Sequence, residues 1–283
     1  MKVIDFHTHV FSPEQIAGRE ALVKRDAWFA KLYGNPKAKM ATAEDLVGSM
    51  EKRSIAQSVV FGFPWVDGGL LREANDYVFE AAAEHGEKLA AFVTVNPSDR
   101  RGTEEELTKS RKARVRGIGE LMPDGNGWRL GDIEMMRAVS EFAIEKKLPV
   151  LTHVSEPYGH AYAGKGKTHG GEVLALAEAF PEMVIVCAHW GGGLFFYELQ
   201  SEVAKTLTNV YYDTSASCFI YGNKIYEVAA AIAPGKVLFG SDYPTCPVER
   251  QMRAIREAGI GEEVKAGMMG GNAERLLSGQ CKM

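Results

Sequence analysis

Cysteine is scarce in this sequence: four residues in 283, Cys187, Cys218, Cys246 and Cys281, far apart and with no CxxC spacing. A zinc-finger cluster and a disulfide framework are therefore excluded, and a reducing compartment fits best. No apolar run approaches the roughly 18 residues that a membrane span needs. The opening apolar stretch is interrupted by Asp5 and His7, too early for a signal-peptide core. The protein is thus expected in the cytoplasm, without a membrane partner. A basic run is also missing, since 33 Lys and Arg stand against 37 Asp and Glu for a net charge of -4. Nucleic acid is not an expected partner, and a small molecule is. No Pro/Ser linker divides the chain, and no Gly-rich phosphate turn follows its first apolar segment.

What is present is material for a core: 46% hydrophobic residues with 25% charged, the balance of a soluble globular protein. Short apolar or β-branched runs alternate with longer stretches of helical period, the mark of βα units around a parallel sheet. Strands are expected at 3–10, 57–64, 89–97, 115–122, 149–156, 183–190, 210–216 and 237–244. Helices are expected at 43–53, 71–85, 103–111, 133–147, 172–179, 195–207, 224–233 and 248–258. Thr42 and Asp132 are placed to cap two of them, and Gly86 to end another. Eight such units predict an α/β fold, a single (β/α)8 TIM barrel spanning residues 1–283, over an open doubly wound sheet. Two segments exceed a tight barrel's needs, the partly helical 11–40 after the first strand and the glycine-dotted 156–171 after the fifth. Loops of that length are usually lids or binding loops.

Chemistry-bearing side chains gather at the strand ends. His7 and His9, two apart on the first strand, are expected to share a face with Asp5, while Phe6 and Thr8 turn away. Strand four ends with Glu120, strand five with His153, strand six with His189 and strand eight with Asp242. At the C-terminal mouth of a barrel these would converge as a ring of nitrogen and oxygen donors, the donor set of a catalytic zinc site. Cys187 and Cys246 flank the ring without an activating partner and read as inert thiols. Trp65, Trp128, Trp190, Phe195, Phe196, Tyr197, Tyr221 and Tyr243 fall at strand ends, where they could wall a pocket. His160, Lys165, Lys167 and His169 lie on the long fifth loop, where they could meet an anionic substrate or simply face solvent.

His7-Thr8-His9, His153, His189 and Gly240-Ser241-Asp242-Tyr243-Pro244 together resemble the ligand pattern of the amidohydrolase superfamily. His189-Trp190-Gly191-Gly192-Gly193 and Gly271-Asn272-Ala273-Glu274-Arg275-Leu276 narrow the resemblance to the amidohydrolase-2 branch, which includes aminocarboxymuconate-semialdehyde decarboxylase-like enzymes. The resemblance implies that His7, His9, His153 and Asp242 hold a divalent metal, zinc in the first instance, with manganese or another ion as alternatives. His189 would ligate a second metal or act as an uncoordinated acid/base, and Glu120 would bridge two metals or brace a ligand. Asp242 and His189 are the expected catalytic pair. The expected activity is hydrolysis of an amide, ester or lactone of a small molecule by metal-activated water, with Asp242 accepting the water's proton. The alternative is a non-oxidative decarboxylase, in which His189 and Asp242 handle the proton that replaces CO2. The resemblance further implies a homodimer or higher homo-oligomer.

Overall fold

The computed structural model describes residues 2–279, so Cys281 lies outside the described residues. Eight parallel strands run in sequence order around one sheet: β1 (Ile4–His9), β2 (Gln57–Phe61), β3 (Leu89–Val93), β4 (Gly117–Leu121), β5 (Val150–Thr152), β6 (Ile185–Cys187), β7 (Val210–Asp213) and β8 (Val237–Leu238). Backbone hydrogen bonds close the sheet on itself beyond β8. Phe6 N donates to the Phe239 carbonyl at 2.7 Å, Asp242 N to that of His7 at 3.0 Å, and His9 N to that of Tyr243 at 2.8 Å. The fold is the expected TIM barrel.

The helices between strands begin and end as their sequences dictate. Thr42 forms a capping box with Asp45 at the start of Ala43–Arg53, and Asp132 caps Ile133–Lys146. Gly86, at φ 57°, stops Gly68–His85. The helix expected at 195–207 is shorter, Ser201–Thr206, because the preceding residues are taken up by tight turns. In those turns His189, Trp190, Gly191, Gly192 and Gly193 all have positive φ, from 56° to 94°. Three glycines make such a left-handed run accessible, and the Trp190 indole anchors it by donating to Ser217 Oγ at 2.8 Å.

The barrel interior is apolar below and polar above. Ile4, Phe6, Val59, Phe61, Ala90, Phe92, Leu151, Val186 and Leu238 pack inside it, with Phe6 and Phe92 edge to face at 5.7 Å. Burying each of the Ile, Val, Leu and Phe side chains contributes about 1.5–3 kcal/mol. Phe6 points inward, not outward as its position in β1 predicts. The reason is a register irregularity between Asp5 and Thr8, which switches the alternation so that Phe6 and then His7 and His9 face the barrel. Strand β4 does the same between Ile118 and Leu121 and thereby brings in Glu120. Gly119 sits in that irregularity at φ 130°, where a Cβ would collide with the Leu151 carbonyl.

Residues 11–40 fold as three short helices, Pro13–Ala17, Arg19–Arg25 and Ala27–Tyr33. Phe11, Trp28, Phe29 and Tyr33 from this insertion pack with Phe63 and Trp65, which follow β2. Asp26 caps the third helix through Trp28 N and Phe29 N and also accepts from Val66 N at 3.3 Å, which ties the insertion to the barrel. The Arg19 guanidinium donates to the carbonyls of Tyr33, Asn35, Pro36 and Ala38, at 2.6–3.2 Å, and holds the return segment.

Gly192→Ala places a methyl group against the Ser155 carbonyl at φ 59°. It is expected to lower unfolding free energy by about 1–3 kcal/mol in urea melts. Gly235→Ala, in open space, should change it by no more than about 0.5 kcal/mol. Equal stabilities of the two variants would contradict the strain assigned to the turn.

Candidate active site

All six residues singled out in the sequence meet at the C-terminal mouth of the barrel. His7, His9 and Asp242 form one donor triad, and Glu120, His153 and His189 form a second. His7 Nε2 and His9 Nε2 lie 3.2 Å apart, and Asp242 Oδ1 is 3.8 and 3.6 Å from them. Glu120 joins the triads. Its Oε2 lies 3.7 Å from His7 Nε2 and 3.6 Å from His9 Nε2, while its Oε1 lies 3.2 Å from His153 Nδ1 and 4.0 Å from His189 Nε2. His153 Nδ1 and His189 Nε2 are 3.2 Å apart. His153, expected beside His7, His9 and Asp242, is thus grouped more tightly with Glu120 and His189.

The outward nitrogens of three of these imidazoles have acceptors behind them. His7 Nδ1 lies 2.8 Å from Asp213 Oδ2, His189 Nδ1 3.1 Å from the Ser215 carbonyl, and His153 Nε2 3.1 Å from the Gly164 carbonyl. Each outer N–H is directed away from the centre, leaving the inward nitrogen for a cation or a proton. His9 Nδ1 is buried without a hydrogen-bond partner. Four imidazoles and two carboxylates converging in this way fit a divalent metal of the kind that takes mixed N and O donors.

The electrostatics of the ring without a cation reflect crowding. Burial opposes charge on His7, but Asp213, Glu120 and Asp242 outweigh it and push its pKa up to about 10. Burial and the neighbouring His7 hold His9 down to about 3, and burial with His153 holds His189 down to about 4. Burial raises Asp242 to about 7, with Glu120 and Asp213 adding to the rise and His7 opposing it. Burial also opposes the charge on Glu120, yet His7, His153 and His9 keep its carboxyl well below the usual range. Such displaced values are typical of functional clusters.

A cavity of about 790 Å³ opens onto the ring, with His9, Glu120, His153, His189 and Asp242 in its floor. Its aromatic wall differs from the one expected. Of the aromatics at strand ends only Tyr221 lines it; Trp65, Trp190 and Phe195 are packed in the core. The wall comes instead from Trp28 and Tyr33 of the insertion, Phe63, Tyr158, Tyr162 and Phe219. On the fifth loop His160 reaches the cavity, whereas Lys165 bonds the Tyr158 carbonyl and His169 caps Gly170–Ala179. Cys187 and Cys246 are buried and free. Sequence reasoning misses Asp213 and Ser215, although Asp213 carries the same signal as the others, an acid closing an apolar strand.

The amidohydrolase family model matches residues 4–279. The chain belongs to the amidohydrolase family. No curated protein matches it in a sequence search. Among solved structures it is similar to 5-carboxyvanillate decarboxylase from Sphingomonas paucimobilis, at 18% identity and a TM-score of 0.80, over 98% of this chain and 99% of that one. A second is the 5-carboxyvanillate decarboxylase of Novosphingobium aromaticivorans complexed with manganese and 4-hydroxy-3-methoxy-5-nitrobenzoic acid, at 17% identity and 0.78, over 98% and 96%. A third is 2,6-dihydroxybenzoate decarboxylase from Rhizobium, at 17% identity and 0.74, over 98% and 99%.

These neighbours correct the expectation of hydrolysis at an amide, ester or lactone. The activities they name are decarboxylations and none is a hydrolysis, so hydrolysis is not carried further. The physical reason is that one barrel with one donor ring serves several chemistries, and no ligand distinguishes attack by water from return of a proton to carbon. The manganese named for one neighbour belongs to that protein, and the donor clusters of this chain fit a divalent ion without singling out zinc. Among the described residues no helix is long and apolar enough to cross a membrane.

Metal-stripped protein is expected to bind Mn2+ or Zn2+ and gain about 2.7 kcal/mol of stability at 100 times the Kd. The gain would be read as a higher melting temperature that a chelator reverses. Unchanged melting with both ions would remove the ring as a metal site.

Proposed function

We propose that this amidohydrolase is a metal-dependent, non-oxidative decarboxylase of a small aromatic carboxylate. The observation that carries the reading is the six-donor ring at the floor of an aromatic-walled cavity. The decarboxylases of the same fold support it. His7, His9 and Asp242 would hold the principal divalent ion, manganese or zinc, with Glu120 Oε2 as a further donor and His153 completing the ring. When bound, that ion supplies a positive charge that orients the substrate's carboxylate and withdraws electrons from the bond to be broken.

The chain's own side chains supply the rest. Trp28, Tyr33, Phe63 and Tyr162 would sandwich and desolvate the aromatic ring, and so fix the reacting carbon over the floor. His189 Nε2, 4.0 Å from Glu120 Oε1, and the Asp242 carboxyl, grouped with His7 and His9, would carry the proton. In the balanced reaction a proton is delivered to the ring carbon that bears the carboxylate. The carbon–carbon bond then breaks, its electron pair restores the aromatic system, and CO2 leaves. No oxidant or water is consumed. The cytoplasmic location and homo-oligomeric state expected from the sequence belong to the same proposal.

Hydroxylated benzoates incubated with manganese- or zinc-loaded enzyme are expected to release CO2. In D2O each product should carry one deuterium at the vacated carbon. His189→Asn and Asp242→Asn should each lower kcat by roughly 10²–10⁴-fold, with His189→Asn still retaining metal. Absence of CO2 release across a panel of aromatic carboxylates by metal-loaded enzyme would overturn the reading.

A further inference from the structure

We infer that Asp213 is a positioning residue whose single carboxylate sets the proton arrangement of both donor triads. The inference rests on the proposed metal-binding role of the ring and not on which reaction the ring performs. Asp213 ends β7, outside the ring itself, and is fully buried. The backbone N–H groups of Ser215 and His189 both point at one of its oxygens, the surroundings of a carboxylate that only accepts hydrogen bonds.

Every group against it is a donor. Oδ2 faces His7 Nδ1 at 2.8 Å, while Oδ1 faces Ser215 N at 2.9 Å, Ser215 Oγ at 2.5 Å and His189 N at 3.2 Å. Because the Ser215 hydroxyl gives its proton to Asp213, its oxygen is free to accept from His189 Nδ1, 2.9 Å away, beside the Ser215 carbonyl. The network thus assigns an Nδ1–H to His7 of one triad and to His189 of the other, and turns both Nε2 atoms inward. Backbone geometry is tied to the same atom. His189 has φ 56°, a conformation that a non-glycine residue holds only when its surroundings fix it, and its N–H is held by Oδ1.

Asparagine is nearly isosteric here but cannot replace this residue. In one orientation its amide NH2 confronts His7 Nδ1–H, which drives the His7 proton to Nε2 and removes the inward lone pair. In the other it confronts Ser215 N, Ser215 Oγ and His189 N together. A role confined to packing would survive the substitution, whereas a positioning role would not.

The test is Mn2+ titration of full-length wild type and Asp213→Asn by calorimetry, with circular dichroism to measure the folded fraction. A Glu106→Gln variant serves as a control, since Glu106 is a buried carboxylate bonded to Asn75 on the barrel's flank. Asp213→Asn is expected to bind Mn2+ roughly 10–100-fold more weakly, while Glu106→Gln stays within about 3-fold of wild type on the same outer-ligand argument. A second measurement needs no variant. In 15N-labelled, zinc-loaded wild type, His7 is expected to show a protonated Nδ1 and an unprotonated Nε2. Affinity of folded Asp213→Asn equal to wild type, or a His7 protonated at Nε2, would overturn the inference. Neither readout uses turnover, so a failed decarboxylation assay leaves this result standing on its own.

Discussion

The site depends on hydrogen bonds that point away from it. An imidazole has two nitrogens, and whichever one has an acceptor behind it directs its proton there. Asp213, the Ser215 carbonyl and the Gly164 carbonyl occupy those outer positions for His7, His189 and His153. Without them these three histidines could present N–H groups to one another across the barrel mouth, and a cation would lose their lone pairs. The inner geometry is thus a consequence of the outer one, and the end of β7 and the loop after β5 that carry these acceptors are as much part of the centre as the donors.

A second constraint concerns side-chain alternation. A parallel barrel alternates inward and outward residues, and its lower interior here is occupied by Phe6, Phe61 and Phe92. Strict alternation from Phe6 would turn His7 and His9 towards the helices. The irregularities in β1 and β4 change the parity above the apolar layer, so packing below and chemistry above are both satisfied on the same strands.

Much of this was legible in the sequence, for identifiable reasons. Residues 43–53 carry a complete helical signal, with Thr42 and Asp45 as cap and capping partner, and the helix spans those residues. His153, His189 and Asp242 each follow an apolar run, so their place at the mouth follows from the fold class alone. The parity switch at Phe6 was not legible, because a period of two contains no sign of an inserted residue. Nor was the cavity wall: Trp28, Tyr33 and Phe63 become neighbours only through the way residues 11–40 fold back, a tertiary event with no local pattern. The choice between hydrolysis and decarboxylation lay beyond the ring residues altogether, since both reactions use the same donors.

The clamp formed by Arg19 bears on how a substrate is selected. One guanidinium gathers four carbonyls of the return segment and fixes Tyr33 at the cavity edge. That wall is preorganised, so the entropy of ordering it belongs to folding and does not weaken binding. Selectivity and reactivity are consequently carried by separable parts of the chain. Exchange of the 11–40 segment together with its clamp would redraw the outline a ligand must match, while the donors beneath it, fixed by the strands, would stay as they are.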